Sequence, residues 1–315
     1  MTATPREKEL YGQGVRIQKQ NGDKTIYSTD CCKGTMTVLK LFPGVELIYN
    51  DFYASTCPQM VKPLPDIMEI NHCRRGRFEC EFKRGSYAYL GEGDLAVNML
   101  ENQTNCPRFP LEVYQGASVI IDIRVAQDNL EHGLDGVMID LGALREKLCP
   151  HNRCLVVKAP VNIEHIFEEI YTVDTKIQMG YLRLKILELL LILSVLSPLD
   201  TFEISPYFSG EHVQKVKRVR EHLTTSLDKD ITLKELAVEH EISPTGLKNC
   251  FKAIHGKTVY AFRREYRMQA AAKMLQDTSL TIAEIAGMVG YENPGKFSVA
   301  FKEIMGRTPG EYRKK

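Results

Sequence analysis

Two sets of short polar and basic side chains recur at helical spacing near the end of this 315-residue chain. Ser243, Thr245, Lys248, Asn249 and Lys252 form the first set, and Asn293, Gly295, Lys296, Val299 and Lys302 form the second. Apolar residues fall between them, Leu247 and Phe251 in one case and Phe297 and Phe301 in the other. Each segment should therefore bury one face of a helix and show the polar one. Asn and Lys on a protruding helix can bond base edges and phosphate oxygens, and such a helix fits the major groove of double-stranded DNA. Arg263, Arg264 and Arg267 lie between the two sets and are expected to meet the phosphate backbone.

The elements that would hold these side chains form an internal repeat. Thr232-Leu233-Lys234-Glu235-Leu236-Ala237 returns as Thr281-Ile282-Ala283-Glu284-Ile285-Ala286. Each Thr has a Glu three residues on, which spells a capping box at a helix start. Five residues after each Ala comes Ile242 or Tyr291, and a polar helix start follows, Ser243-Pro244 or Asn293-Pro294, with Pro at the tolerated first helical position. Each copy closes on a glycine, Gly256 or Gly306. The pattern predicts helix, short turn, helix, twice, with a small Ala where the helices cross. A long helix from Thr258 to Leu275, with Val259, Phe262, Tyr266, Ala270 and Met274 as its apolar stripe, should join them. About 34 Å between the reading helices would put them in successive major grooves. Residues 211–315 carry nineteen Lys and Arg against thirteen Asp and Glu, whereas the rest of the chain has twenty-two against twenty-seven. A basic C-terminal part suits a polyanionic partner.

Other chemistry finds weaker support. His72 stands alone on its strand with Glu69 three residues away, short of the clustered histidines a metal-dependent barrel enzyme needs. Cys149-Pro150-His151-Asn152-Arg153-Cys154 lacks a second ligand pair, so no metal site and no cofactor are expected. Cys31-Cys32 could sense oxidants, but adjacent cysteines are more often small packing residues. Arg74-Arg75-Gly76-Arg77 and Gly91-Glu92-Gly93-Asp94 read as turns. The polar N-terminus shows no export signal, and the nine cysteines are odd in number and irregularly spaced, so reduced thiols and a cytoplasmic location are expected. The longest apolar stretch, Ile186 to Leu196, is too short to span a membrane.

Residues 1 to about 125 look β-rich. Val38 to Leu47, Ile67 to Cys73, Phe78 to Lys83, Leu95 to Val97 and Val119 to Val125 are strand candidates separated by Gly turns, which suggests a small antiparallel barrel or sandwich. Helix takes over near Val161. The segment from Tyr181 to Leu196, with Leu184, Leu187, Leu190 and Leu191, is too apolar to stand exposed. It must pack on the sheet or against a second copy, and dimerisation is the expected use. Pro198, Pro206, Ser209 and Gly210 mark a linker.

The C-terminal region resembles the AraC/XylS family of bacterial transcription regulators over residues 212 to 313. Three stretches carry the likeness: Ile231 to Ala237 with Leu247, Phe251-Lys252 and Gly256; Arg267 to Ala271; and Ile282 to Ala286 with Val289-Gly290-Tyr291, Phe297, Phe301-Lys302, Gly306, Thr308-Pro309 and Tyr312-Arg313. The resemblance implies base-reading positions at Thr245, Lys248 and Asn249, and at Asn293, Gly295, Lys296 and Val299. Val299 stands where relatives often carry Arg, so the first unit should read more sequence and the second should lean on Lys296, Lys302 and backbone amides. It also implies an α+β layout: a cupin-like β-barrel effector domain over 1–160, a helical dimerisation segment over 161–197, a linker over 198–211 and a double helix-turn-helix DNA-binding domain over 212–315. Double-stranded DNA, a second copy of the chain, a small-molecule effector and RNA polymerase are the partners so implied, with no membrane. The rival reading is an enzyme of metal-cupin type tethered to DNA by the helical domain. A third is a DNA-binding module that silences with no effector.

Overall fold

Strand residues that alternate between two apolar cores organise the first of two units, Met1–Phe208 and Ser209–Lys315. The computed structural model describes residues 2–29, 33–56, 63–82, 85–102, 107–133, 138–196 and 204–314; Cys31-Cys32 and residues 198–203 of the predicted linker lie outside them. A short helix α1 (Pro5–Tyr11) precedes strands β1 (Val15–Asn21), β2 (Lys24–Thr29), β3 (Lys33–Phe42), β4 (Val45–Tyr53), β5 (Ile67–Glu81), β6 (Ser86–Gly91), β7 (Asp94–Met99) and β8 (Tyr114–Asp122). Helices α2 (Ile123–Gly133) and α3 (Leu141–Leu148), strand β9 (Leu155–Lys158), helices α4 (Val161–Thr172) and α5 (Gln178–Val195), and the two-residue β10 (Phe208–Ser209) complete it.

The sheet runs β1-β2-β3-β4-β8-β5-β6-β10, with β7 bridging β5 and β9. Leu39, Leu47, Met68, Ile70, Val97 and Val119 point to one face, where α3, α4 and α5 cover them. Their neighbours Val38, Ile48, Ile67, Ala96 and Ile120 point to the other, a second core shared with Phe109, Tyr114 and Val156. A strand buried on both sides must be apolar almost throughout, as Ala117-Ser118-Val119-Ile120-Ile121 is.

Several expectations change. Among the described residues the strand path has free ends and does not close into the expected barrel. Arg74 to Arg77 is no hairpin turn: β5 continues through it with a bulge between Cys73 and Arg75. Gly76 takes φ 89° there, and a Cβ on it would meet the Val113 carbonyl at 2.0 Å. The bulge bends β5, so its first half pairs with β7 and β8 and its second half with β6. Val38 to Leu47 is a hairpin turning at Pro43-Gly44, and Val119 to Val125 leaves the sheet for α2 at Ile123. The later part of the predicted linker is tied to the sheet, through Ser205 N–H donating to the Val156 carbonyl at 2.8 Å and through β10. Turn chemistry at Gly91 to Asp94 is as read, with the Gly91 amide donating to Asp94 Oδ2 at 2.7 Å.

The second unit is all helical: α6 (Gly210–Thr225), α7 (Leu233–Glu239), α8 (Pro244–His255), α9 (Val259–Asp277), α10 (Ile282–Met288), α11 (Pro294–Met305) and α12 (Pro309–Arg313). Thr232 and Thr281 close capping boxes with Glu235 and Glu284. Gly256 and Gly306 end α8 and α11 in the left-handed conformation, φ 70° and 75°, which Gly adopts without a Cβ penalty.

Candidate nucleic-acid interface

The turns that set α8 against α7 and α11 against α10 use the same hydrogen bond. Ile242 N–H donates to the Ala237 carbonyl at 2.9 Å, and Tyr291 N–H donates to the Ala286 carbonyl at 2.8 Å. Ala237 and Ala286 are buried at the crossings. Leu247, Cys250, Phe251 and Ile254 face inward from α8, and Phe297, Ala300 and Phe301 from α11. The opposite faces stand in solvent: Ser243, Thr245, Lys248, Asn249 and Lys252 on one helix, Asn293, Gly295, Lys296, Val299 and Lys302 on the other. The structure thus brings each set together on one exposed helix face.

Two members of these sets also cap their helices. Ser243 Oγ accepts from the Gly246 amide at 3.0 Å. Asn293 Oδ1 accepts from the amides of Gly295 at 2.8 Å and Lys296 at 3.1 Å. Those two amides are therefore already bonded, which corrects the expectation that the second helix start offers them to phosphate. The polar side chains remaining on that face are Lys296 and Lys302.

A family model described as a helix-turn-helix domain matches residues 236–315. An AraC-like transcription regulator of Streptomyces lividans is 37% identical over 83 residues, which are 26% of this chain and 27% of that one. The transcriptional activator RhaR of an Enterobacter species is 32% identical over 91 residues, 29% of this chain and 32% of its own. Over this domain the chain is similar to transcription regulators of the AraC type. The match spans less than a third of the length of these curated relatives. Among solved structures, the C-terminal domain of AraT, a response regulator from Geobacillus stearothermophilus, is 36% identical at a TM-score of 0.31, covering 32% of this chain and 84% of that one.

Within this helical domain two of the three arginines of α9 are enclosed, which corrects their assignment to the phosphate backbone. Arg263 and Arg267 are 7% and 8% exposed. Arg263 donates to Asp230 Oδ1 at 3.1 Å and to the Ile231 carbonyl at 3.2 Å, and Arg267 donates to the Lys229 carbonyl at 3.0 Å. Both hold the segment that leads into α7. Arg264 is bonded to Glu303 of α11. The apolar stripe is shifted accordingly: Met268, Ala271, Ala272 and Leu275 are buried beside the two arginines, while Val259, Phe262, Tyr266, Ala270 and Met274 are only partly so. Long Arg stems cover apolar surface while their heads reach backbone carbonyls, a use that spacing alone does not distinguish from phosphate binding.

In the first unit, a second candidate site lies within the second of the two cores. Two adjoining cavities of about 90 and 80 Å³ share Glu69, Asn71, Phe78, Leu100 and Pro107 as walls. Asn71 Oδ1 accepts from the Tyr114 hydroxyl at 2.6 Å. Asn50 Nδ2 donates to Ser118 Oγ at 3.1 Å, and Asn102 Nδ2 donates to Asn98 Oδ1 at 2.6 Å. Burial raises the Glu69 carboxyl above its ordinary range, against the opposing effect of a hydrogen bond with Ser118. The sequence carried a signal for this site. Glu69 and Asn71 are polar at every second position of an apolar strand, facing in with Ile67. His72 is on the other face, where it is 2% exposed. Its Nε2 lies 2.8 Å from Glu164 Oε2, its Nδ1 lies 3.0 Å from the Tyr171 hydroxyl, and its ring stacks on Phe167. It joins the sheet to α4 as a structural histidine.

On α5, Leu187 and Leu190 are buried in the core, correcting their assignment to a dimer stripe, whereas Leu184 is 65% and Leu191 38% exposed. No helix among the described residues is long and apolar enough to cross a membrane.

Proposed function

We propose that the chain is a sequence-specific DNA-binding transcription regulator that acts as a homodimer in the cytoplasm and responds to a small-molecule effector. The two helix pairs serve as helix-turn-helix units, and α8 and α11 enter successive major grooves of one duplex. The observation that carries this reading is the duplicated exposure: two equivalent helices, fixed by the same turn bond, each showing short polar and basic residues. Lys248, Asn249 and Thr245 supply most of the base reading, and Lys296, Lys302 and Lys252 meet phosphates or purine edges. The segment 212–315 is the DNA-binding part and 1–160 the effector part. Residues 161–197 provide the dimer contact and 198–211 the connection, with RNA polymerase as the further partner of such a regulator.

The cavities around Glu69 support the effector reading. A ligand there would set an apolar body against Phe78 and Leu100 and direct a hydrogen-bond donor at Glu69. The decisive experiment is selection of bound sequences from random DNA by the full chain. A recurrent motif with two parts about one helical turn apart, and affinity that falls steeply with salt, is the expected result. Recovery of no preferred sequence would overturn it.

A further inference from the structure

We infer that His222, Glu239 and His240 form a binding site for a divalent transition-metal ion of the zinc class. They come from two places in the chain. His222 sits in the last turn of α6, Glu239 ends α7 and His240 is the C-cap residue of α7. The fold brings their ligand atoms to within 4.8 Å of one another. His222 Nδ1 lies 3.4 Å from His240 Nε2 and 3.2 Å from Glu239 Oε1. Ligands about 2.0–2.1 Å from a tetrahedral zinc ion stand roughly 3.3 Å apart along each edge. These two separations match that edge.

The chemistry points the same way. A neutral imidazole has one ring nitrogen with a lone pair, and a carboxylate has only lone pairs. With Nδ1 of His222 facing both another imidazole nitrogen and a carboxylate oxygen, a single proton serves one contact well. A cation at the common point serves all three. Two imidazoles and one carboxylate, with a fourth position left for water, suit zinc, cobalt, nickel or copper rather than calcium or magnesium, which prefer oxygen ligands. The His222 side chain is 19% exposed and that of Glu239 is 55% exposed, so an ion can reach the site from solvent. Bound there, it would cross-link the end of α6 to the end of α7, one residue before Glu241 and the turn that presents α8. It would stabilise the helical unit whether or not that unit binds DNA.

The test uses the full chain, freed of metal by chelation, and zinc chloride alone as the probe. One equivalent of zinc should bind and raise the melting temperature, because a ligand of the native state stabilises it. His222→Gln and His240→Gln should each weaken zinc binding at least ~tenfold while leaving the metal-free melting temperature near that of the parent. Calcium chloride should give no such rise. The nine cysteines are the competing ligands, so cobalt substitution provides an independent readout. Tetrahedral visible bands with no near-ultraviolet thiolate charge-transfer band identify nitrogen and oxygen ligation. A thiolate band, the lack of tetrahedral bands, or a zinc affinity in the two variants equal to that of the parent would each overturn the site.

Discussion

Glu69 is a carboxyl held inside the first unit, and its environment fixes how it responds to pH. Burial raises its folded pKa above the unfolded value, so the folded chain binds the proton more tightly than the unfolded one. Stability then falls as pH rises past the ordinary carboxylate range, and at neutral pH the side chain is a net cost. Glu69→Gln should raise the melting temperature at pH 8 and change it little at pH 4. An equal shift at both, read by calorimetry, would count against an enclosed carboxyl. His72 works in the opposite sense: burial lowers its pKa, so stability falls as pH drops below its unfolded value near 6.5. Among the basic residues, exposure separates roles that residue type does not. Lys248→Ala should cost about 1–3 kcal/mol of DNA affinity and relax preference at one base position. Arg267→Ala should instead lower folding stability by about 2–3 kcal/mol and leave the slope of affinity against salt unchanged. Titrations of both variants across a salt series would show whether the two effects separate in this way.

At the scale of the element, the two helix pairs solve one turn with different residues. Glu241 and Gly290 occupy equivalent positions, four residues after Ala237 and Ala286, and both are left-handed, with φ 51° and 77°. A residue with a Cβ pays for that conformation and Gly does not. Glu241→Gly should therefore be neutral or stabilising by up to about 1 kcal/mol. Gly290→Ala should destabilise by more than this, because its Cβ would meet the Arg267 guanidinium at 2.4 Å and the Leu227 carbonyl at 2.8 Å. Chemical denaturation of the two variants tests the asymmetry, and a stabilised Gly290→Ala would refute it. The same contact explains why Arg267 is buried: it underlies the second turn while bonding the segment before the first pair.

For the whole molecule, the proposed dimer would form on the outer face of α5. Leu184 and Leu191 stand out from it seven residues apart, joined by Ile177 at 58% and Val195 at 80% exposure. A stripe repeating every seven residues suits a helix packed against its own copy. Replacing Leu184 and Leu191 together by Glu should convert the dimer to monomer in sedimentation, with little change in helix content. Leu190→Ala should destabilise the first unit by about 2–5 kcal/mol without that conversion. A parent chain that sediments as a monomer at all concentrations would remove the dimer from the proposal.

Much of the second unit was legible because its signals are local. Capping boxes, an N-terminal proline and a terminal glycine act within a single turn of helix, so the repeat from Thr232 to Gly306 can be read one residue after another. The faces of α8 and α11 follow from helical periodicity alone. The burial of Arg263 and Arg267, the inward turn of Leu187 and Leu190, and the bend of β5 at Gly76 depend on what lies opposite in space. So do the convergence of Glu69, Asn71 and Tyr114 on one cavity and that of His222, Glu239 and His240 on one point. Residue order was enough to place the helix ends of the repeat and the polar faces of α8 and α11, since those depend on neighbours within a turn. Which charged groups are enclosed and which apolar ones are left in water emerged from the folded chain, because burial is set by partners far away along the sequence.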